Sequence, residues 1–305
     1  MTAFPASLTG NTRGIVAMLS AMLWFSLMDA VLKELTASYP FIQIAALRGI
    51  VALPLIVAWI TWRGQWQQMR RIRWPLQIMR GAIGVPMLFL FTYALQTLPL
   101  STAYTLFFVA PLLVTVFSVL ILKEAVPATH WWIIGVGFLG VMVALRPGPS
   151  ALSDVPALMA GLAVLGAATC YAISAVTARL VGRTDSSESM VLVTLACISL
   201  LGGLLAYPTW VPVKPAHGWL LTGLAITGFL GQLSITDAFR HGKASAVAPF
   251  EYSALAWGVG LDWVIWQALP DGYTWLGAAI IVASGVYLIR HEQRIARSHA
   301  NPDHP

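Results

Sequence analysis

The chain has 305 residues, of which 58% are hydrophobic and only 10% are charged, and its mean hydropathy is +0.76. Soluble domains carry roughly 25% charged residues, so this chain cannot cover its apolar surface with polar groups in water. The composition indicates an integral membrane protein and excludes a cytosolic enzyme, a secreted domain and a nucleic-acid binder. The formal net charge of +6 could suggest an acidic partner, but the basic residues are sorted to one side of the membrane, as described below.

Ten apolar stretches are long enough to cross a bilayer, which takes about 20 residues of helix. In chain order, the predicted spans one to ten cover residues 14–32, 42–62, 74–95, 101–122, 131–145, 157–180, 190–207, 218–237, 244–266 and 272–289. The loops between them are short and contain many Pro and Gly residues, so none is long enough to be a folded domain. We therefore expect an all-α integral membrane protein with ten transmembrane helices in one bundle.

The distribution of basic residues predicts the orientation, because Lys and Arg collect on the cytoplasmic side of a membrane. If the N-terminus is inside, all but four of the 18 Lys and Arg residues fall in or near cytoplasmic segments. The four exceptions are Lys33, Arg48, Arg146 and Lys214. We expect a multi-pass protein of a bacterial-type inner membrane, with both termini cytoplasmic and residues 291–305 forming a cytoplasmic tail.

The two halves of the chain align with each other at an offset of about 143 to 147 residues. This offset places span one over span six, with Trp24 beside Tyr171, and YALQTLPLSTA (93–103) over DAFRHGKASAV (237–247). Each half contains an odd number of spans, so the second half must enter the membrane upside down. The pattern predicts an inverted repeat, the architecture of many secondary transporters. The alternative is a loose match between two apolar stretches.

The chain resembles the EamA family of the drug/metabolite transporter superfamily over nearly its whole length. The first repeat is similar in AALRGIVALPLIV (45–57), IMRGAIGVPMLFLFTYALQTLPLSTAYTLFFVAPLLVTVFSVLILKE (78–124) and GVGFLGVMVALRPG (135–148). The second is similar in ASAVAPFEYSALAWGVGLDWVIWQALPDGYTWLGAAIIVASGVYLI (244–289). Within the family, APFEY and LRP resemble the branch that holds S-adenosylmethionine-type and riboflavin-type carriers.

This resemblance implies two five-helix repeats, at residues 10–147 and 155–290. It also implies a central cavity between helices one to four and six to nine, with helices five and ten packed outside. The halves depart from each other at two aligned pairs of positions: Glu124 matches Gln267, and Pro111 matches Ala254.

Ionisable side chains inside the spans are candidate sites, since they are costly in hydrocarbon unless they face a cavity or a partner. Glu251 lies about seven residues into span nine, between Pro249, which invites a break in the helix, and Tyr252. A buried carboxylate there suits a cation or proton site, and the alternative is a structural hydrogen bond. Asp262 shares the helix face of Glu251 and either continues an acidic track or reaches the outer interface.

Asp29 in span one and Arg48 in span two lie about 7 to 10 Å below the outer surface. We expect them to pair, with Lys33 as a rival partner of Asp29 one turn along the helix. The alternative role of Arg48 is to meet an anionic group of a substrate. Arg80, near the inner end of span three, is expected to extend to the lipid headgroups.

Aromatic and amide side chains complete the candidate cavity wall, although ordinary helix packing is an alternative role for each. The candidates are Trp24, Tyr104, Phe107, Tyr171, Trp257, Gln43 and Gln232.

These features predict a secondary transporter that moves a small organic metabolite by alternating access. The expected substrate is amino-acid-like, S-adenosylmethionine-like or vitamin-like, and proton exchange at Glu251 is a hypothesis. The alternative is a membrane-embedded enzyme acting on a lipid-soluble substrate, but the six histidines lie at helix ends, in loops or in the tail. We therefore predict no catalytic residue, metal or cofactor. The expected partners are a small molecule and the bilayer, with no nucleic acid, and the protein is expected to be a monomer or homodimer.

Overall fold

The computed structural model describes residues 10–70, 72–123, 128–145, 155–181, 186–241 and 248–300. Every regular element in these ranges is helical. The α-helices are α1 (Gly10–Leu35), α2 (Phe41–Trp62), α3 (Trp74–Leu95), α4 (Leu100–Phe107), α5 (Ala110–Leu122), α6 (Ala128–Leu145), α7 (Val155–Val181), α8 (Ser187–Ala206), α9 (Gly218–His241), α10 (Ser253–Trp266) and α11 (Gly272–Ala300). Short 3-10 segments cover Gln65–Arg70, Tyr207–Thr209, Pro215–His217 and Ala248–Tyr252.

Nine helical stretches in the described ranges are long and apolar enough to cross a membrane, judged by length and composition. They correspond to nine of the ten predicted spans, with α4 and α5 together forming the fourth. The predicted ninth span falls short as a single helix, because a 3-10 segment precedes α10 and residues 244–247 lie outside the described part. The prediction of an all-helical membrane protein is confirmed. Glu124 and Arg146 lie outside the described residues.

Spans four and nine are both interrupted, and both end in the same backbone conformation. Phe108 and Val109 separate α4 from α5, and the 3-10 segment Ala248–Tyr252 leads directly into α10. The residue after α5 is Lys123 (φ 55°) and the residue after α10 is Gln267 (φ 53°), both left-handed. This conformation commonly terminates helices but is unusual for residues other than Gly.

Helix packing follows a regular pattern of pairs. The most extensive contacts are α1 with α9, α3 with α7, α2 with α8, and α6 with α11. Smaller contacts join α3 to α8, α2 to α9, α5 to α7, α1 to α10 and α4 to α10. The α1–α9 pair is antiparallel, because Phe25 contacts Gly231 in the middle of the pair while Arg13 pairs with Asp237 at its end.

Glycine allows α6 and α11 to lie unusually close together. A Cβ atom added at Gly277 would stand 2.7 Å from the carbonyl oxygen of Gly140, and one added at Gly140 would stand 2.8 Å from Ile281. At one end of the pair, His130 Nε2 lies 3.0 Å from His291 Nδ1. Small residues at such contacts let two backbones approach within a membrane bundle. Beyond His291 the helix continues to Ala300, so the first part of the predicted tail is helical.

Candidate functional site

A cavity lies between α1, α2, α8 and α9. Arg48 lines it about 10 Å from the start of α2, whereas Glu188 lines it in the first turn of α8. We call the end of the bundle where α1 begins the N-terminal end, and the end with the α1–α2 connection the loop end. The cavity therefore runs from Glu188 at the N-terminal end to Arg48 in the loop-end half. Its wall is Phe25, Arg48, Ala52, Ile56, Trp59, Glu188, Val191, Leu195, Leu224, Gly228, Phe229, Gln232, Leu233 and Thr236.

Two sets of hydrogen bonds close the loop end beyond this cavity. Gln43 donates to the carbonyl oxygen of Val211 (2.6 Å) and accepts from the amide of the same residue (2.9 Å). The Tyr39 hydroxyl lies 2.8 Å from His217 Nδ1 and accepts from the Lys214 amide (2.9 Å). Gln43 is therefore a buried structural residue, and the prediction that it lines the cavity is wrong.

Arg48 has no hydrogen bond or ion pair within the described ranges of the chain, where the two ion pairs are Arg13–Asp237 and Lys33–Asp262. Arg48 and Asp29 attract each other electrostatically. They do not form the expected contact pair, and Asp29 accepts a hydrogen bond from the Tyr104 hydroxyl (2.8 Å). The guanidinium therefore reaches the cavity without a bound partner.

Asp29 and Tyr104 form a buried polar link between α1 and α4. The Tyr104 ring stacks on Phe91, with 6.3 Å between ring centroids. On another side it meets Gly258, where an added Cβ atom would stand 2.7 Å from the ring. This packing holds the hydroxyl against Asp29 and leaves neither residue in open space.

Asp262 lies at the loop end and is 0% exposed. Its carboxylate accepts from the amides of Leu100 (3.0 Å) and Ser101 (2.7 Å) and from the Ser101 hydroxyl (2.7 Å). Lys33 Nζ lies 3.5 Å away, donates to the Leu98 carbonyl (3.1 Å) and stands 4.4 Å from the centre of a Trp266 ring. The carboxylate thus caps the first turn of α4. Within the described residues, Asp262 does not line the cavity, and Lys33 pairs with Asp262 rather than with Asp29.

Glu251 differs from Asp262, since it is only partly buried as a residue and has no hydrogen bond or ion pair among the residues that the structure describes. It belongs to the 3-10 segment before α10, so the break predicted at Pro249 is confirmed. Its neighbour Tyr252 packs on Phe108, with 4.9 Å between ring centroids, and its hydroxyl abuts Gly285 of α11. Tyr252 therefore serves packing between α11 and the interruption of span four.

Tyr171 is 38% exposed in the middle of α7. It lies about 160° around the helix from Val155, which begins the exposed stripe that includes Met159 and Leu162. Tyr171 therefore faces the interior, where its ring lies 5.4 Å from that of Phe107 and its hydroxyl interacts electrostatically with Arg80 and Glu251.

Arg80 donates to the Thr194 hydroxyl (3.3 Å) and the Met190 carbonyl (3.4 Å) of α8. It thus joins α3 to α8 inside the bundle, and the expectation that it extends to the headgroups is wrong.

The remaining tryptophan candidates lie elsewhere. Trp257 is 38% exposed on the face of α10 that carries Gly260 and Val264, away from the buried face of Gly258 and Asp262. Trp24 is partly buried on α1, and its neighbour Phe25 lines the cavity instead.

Sequence reasoning missed several residues of the cavity wall. Trp59 and Phe229 pack edge to face at 5.7 Å between centroids, although Trp59 has the position of an interfacial belt residue. One signal was present: Gly228, Gln232 and Thr236 are spaced four apart and mark a less apolar face of α9.

A bundle of membrane-spanning helices with two interrupted spans and a cavity that ends at a deep arginine defines a class: polytopic membrane proteins that hold a small molecule between helices. The chain belongs to the EamA-like transporter family, whose family model matches residues 12–146 and 158–290. It is therefore a multi-pass membrane protein of a bacterial transporter family.

Curated relatives are named transporters of small metabolites. The chain is 29% identical to the pseudopaline exporter of Pseudomonas aeruginosa over 279 residues, which cover 91% of this chain and 96% of the relative. It is 28% identical to the riboflavin transporter of Vibrio cholerae (95% and 97% covered) and 23% identical to the S-adenosylmethionine uptake transporter of Rickettsia prowazekii (92% and 94%). The predicted family and general function are confirmed, and the enzyme alternative is not favoured.

The fold also matches a solved crystal structure. The TM-score is 0.64 at 20% sequence identity, and the match covers 92% of this chain and 97% of the other. At this identity the likeness concerns the fold alone.

Proposed function

We propose that the protein is a secondary carrier that moves a small organic metabolite across the bacterial inner membrane by alternating access. The observation that carries this proposal is a cavity that starts at one end of the bundle and stops at Arg48. Beyond Arg48, the contacts of Gln43 and Tyr39 close the other end. A carrier in one of its two end states has this form, open on one side and closed on the other.

An inverted repeat is the second part of the proposal, with five-helix units at residues 10–147 and 155–290. The alignment of the two halves pairs α1 with α7, α3 with α9 and α2 with α8. If the halves are equivalent, each helix contact should recur between the corresponding helices of the other half. The α1–α9 contact then predicts a contact between α7 and α3, and the α3–α8 contact predicts one between α9 and α2. Both are observed. The two left-handed residues that end spans four and nine, Lys123 and Gln267, also lie apart in the sequence by a distance that falls within the alignment offset of the two halves. These regularities support the proposal.

The proposed orientation places the N-terminal end of the bundle and both termini in the cytoplasm, as the basic residues favour. The described cavity then opens toward the cytoplasm. Cysteine-accessibility labelling of single-cysteine variants in the α1–α2 and α8–α9 loops tests this orientation. Both loops should react from the periplasmic side, and cytoplasmic labelling of either would contradict the proposal.

Proton exchange at Glu251 is the proposed coupling step. Glu251 is partly buried in the predicted ninth span, and its carboxylate is not fixed by a partner in the described ranges, so it is free to gain or lose a proton during the cycle.

Uptake by sealed vesicles that contain the purified protein tests the proposed function. The lumen should accumulate unmodified compound from a panel of amino acids, nucleosides, S-adenosylmethionine and vitamins, and empty vesicles are the control. Recovery of chemically altered compound would support the enzyme alternative instead. A flux that rises in proportion to substrate concentration without saturating, as through an open pore, would contradict alternating access.

A further inference from the structure

Arg48 is a charged residue of the described cavity wall that lacks a contact partner in the described ranges. Its guanidinium carries five N–H donors, and the described part of the chain provides neither a hydrogen bond nor a contact ion pair for them. An arginine inside a membrane bundle is costly unless it meets water, a counter-ion or a ligand. The carboxylate of Asp29 lowers this cost by electrostatic attraction, but it makes no contact ion pair with Arg48 in the described ranges. The donors of Arg48 therefore remain available to a molecule in the cavity.

The surroundings of Arg48 are apolar. α1 ends at Leu35, so Phe25 lies about 15 Å from the loop end, and Leu224 lies about 9 Å from the start of α9. Ala52 follows Arg48 by one turn of α2. These side chains line the cavity at nearly the depth of Arg48. A ligand whose charged group reaches the guanidinium would thus place its body against an aromatic ring and aliphatic carbon.

The negative charge at the N-terminal end of the cavity lies too far from Arg48 to act as its contact partner. Glu188, the acidic residue of the described wall, lies at the N-terminal end, about 20 Å from Arg48 along the bundle axis. A cation held at Glu188 would not touch Arg48. Between the two charges the polar groups of the wall are Gln232 and Thr236, which are neutral.

We propose that the cavity binds an amphipathic organic anion, whose carboxylate pairs with Arg48 and whose apolar body lies against Phe25, Ala52 and Leu224. The planar guanidinium matches a carboxylate with two parallel hydrogen bonds, which selects an acid over its neutral amide. This inference rests on the proposed carrier function, for which it names the substrate class.

Matched acid and amide pairs test the proposal on the wild-type protein. Purified protein in detergent is titrated at pH 7 with indole-3-acetate, cinnamate or octanoate, and each titration is repeated with the corresponding amide. Binding is followed by the shift in thermal unfolding, since a ligand that prefers the folded state raises the melting temperature. At least one acid should bind about 10- to 100-fold more tightly than its amide. Equal binding within every pair, or no binding by all three acids, would overturn the proposal.

Variants assign the preference to Arg48. The Arg48→Gln variant should lose the difference between acid and amide, whereas Arg48→Lys should keep a reduced preference because the positive charge remains. The control is Arg73→Gln, which removes the same charge from an exposed position at the start of α3 and should bind as wild type does. A folded Arg48→Gln variant that keeps the full acid preference would contradict the assignment. If that variant does not fold, the wild-type pairs and Arg48→Lys still decide the outcome.

Vesicle uptake separates this proposal from the carrier function itself. Accumulation of an acid at equal rates by wild type and Arg48→Gln would overturn the anion site and leave the carrier. Preference for the acid in binding, without accumulation of any compound, would overturn the carrier and leave the site.

Discussion

Asp262 and Glu251 belong to the same predicted span, share a helix face in the sequence pattern, and have opposite surroundings. Asp262 is buried, and three donors besides Lys33 hold its carboxylate. Glu251 is partly exposed and has no such partner in the described ranges. Both residues are candidates for function because they lie within a predicted membrane span. The number of hydrogen-bond donors around each carboxylate is what distinguishes a structural role from a functional one. A saturated carboxylate stabilises the fold, whereas an unsaturated one remains available for protons or ligands.

The largest expected effect is the loss of stability on removing the saturated carboxylate. Asp262→Ala leaves Lys33 and the first amides of α4 without their acceptor, so the free energy of unfolding should fall by about 3 to 5 kcal/mol. Thermal unfolding in detergent measures the change. The control is Glu251→Ala in the same span, which should cost less than about 1 kcal/mol. Equal losses for the two variants would remove the distinction between them.

A third carboxylate, Asp29, lies between these two extremes, since it accepts one hydrogen bond, from Tyr104, within the described ranges. Tyr104→Phe removes that donor and leaves a buried carboxylate short of one hydrogen bond, at an expected cost of about 1 to 3 kcal/mol. Tyr252→Phe is the matched control, because the Tyr252 hydroxyl is buried without a hydrogen-bond partner in the described ranges. Its loss should be neutral or slightly stabilising. The prediction fails if both variants unfold at the same temperature.

The smallest effect on stability is expected for Glu251→Gln, whose consequence should be kinetic. If Glu251 exchanges a proton, uptake by wild-type vesicles depends on the pH difference across the membrane, and the Gln variant loses this dependence while it remains folded. Glu34→Gln, at the exposed end of α1, should keep the wild-type response. Identical pH profiles for the wild type and Glu251→Gln would exclude Glu251 as the coupling group.

Local patterns were sufficient for the spans, since continuous apolar runs and the prolines at Pro40 and Pro99 mark where helices lie and begin. The interruption near Glu251 was also predictable from the neighbouring proline. Partnerships were less predictable because they join residues far apart in the chain. Lys33 pairs with Asp262, 229 positions away, rather than with an acid one turn away.

The cavity depended even more on tertiary packing. Arg48 is a candidate from its depth alone, but only the packed structure shows that it makes no contact ion pair with Asp29 in the described ranges. Trp59 resembled a membrane-surface anchor and lines the interior because α9 brings Phe229 against it. No pattern within α2 carries that information.

The contact between Phe108 and Tyr252 joins the two interrupted spans at their interruptions. Each ring belongs to a different half of the chain, and each lies where its own span lacks continuous α-helical hydrogen bonding. The two interruptions are therefore in direct contact through these rings. We expect a bend at one interruption to displace the ring at the other, so that the two halves of the chain move together at that level of the bundle.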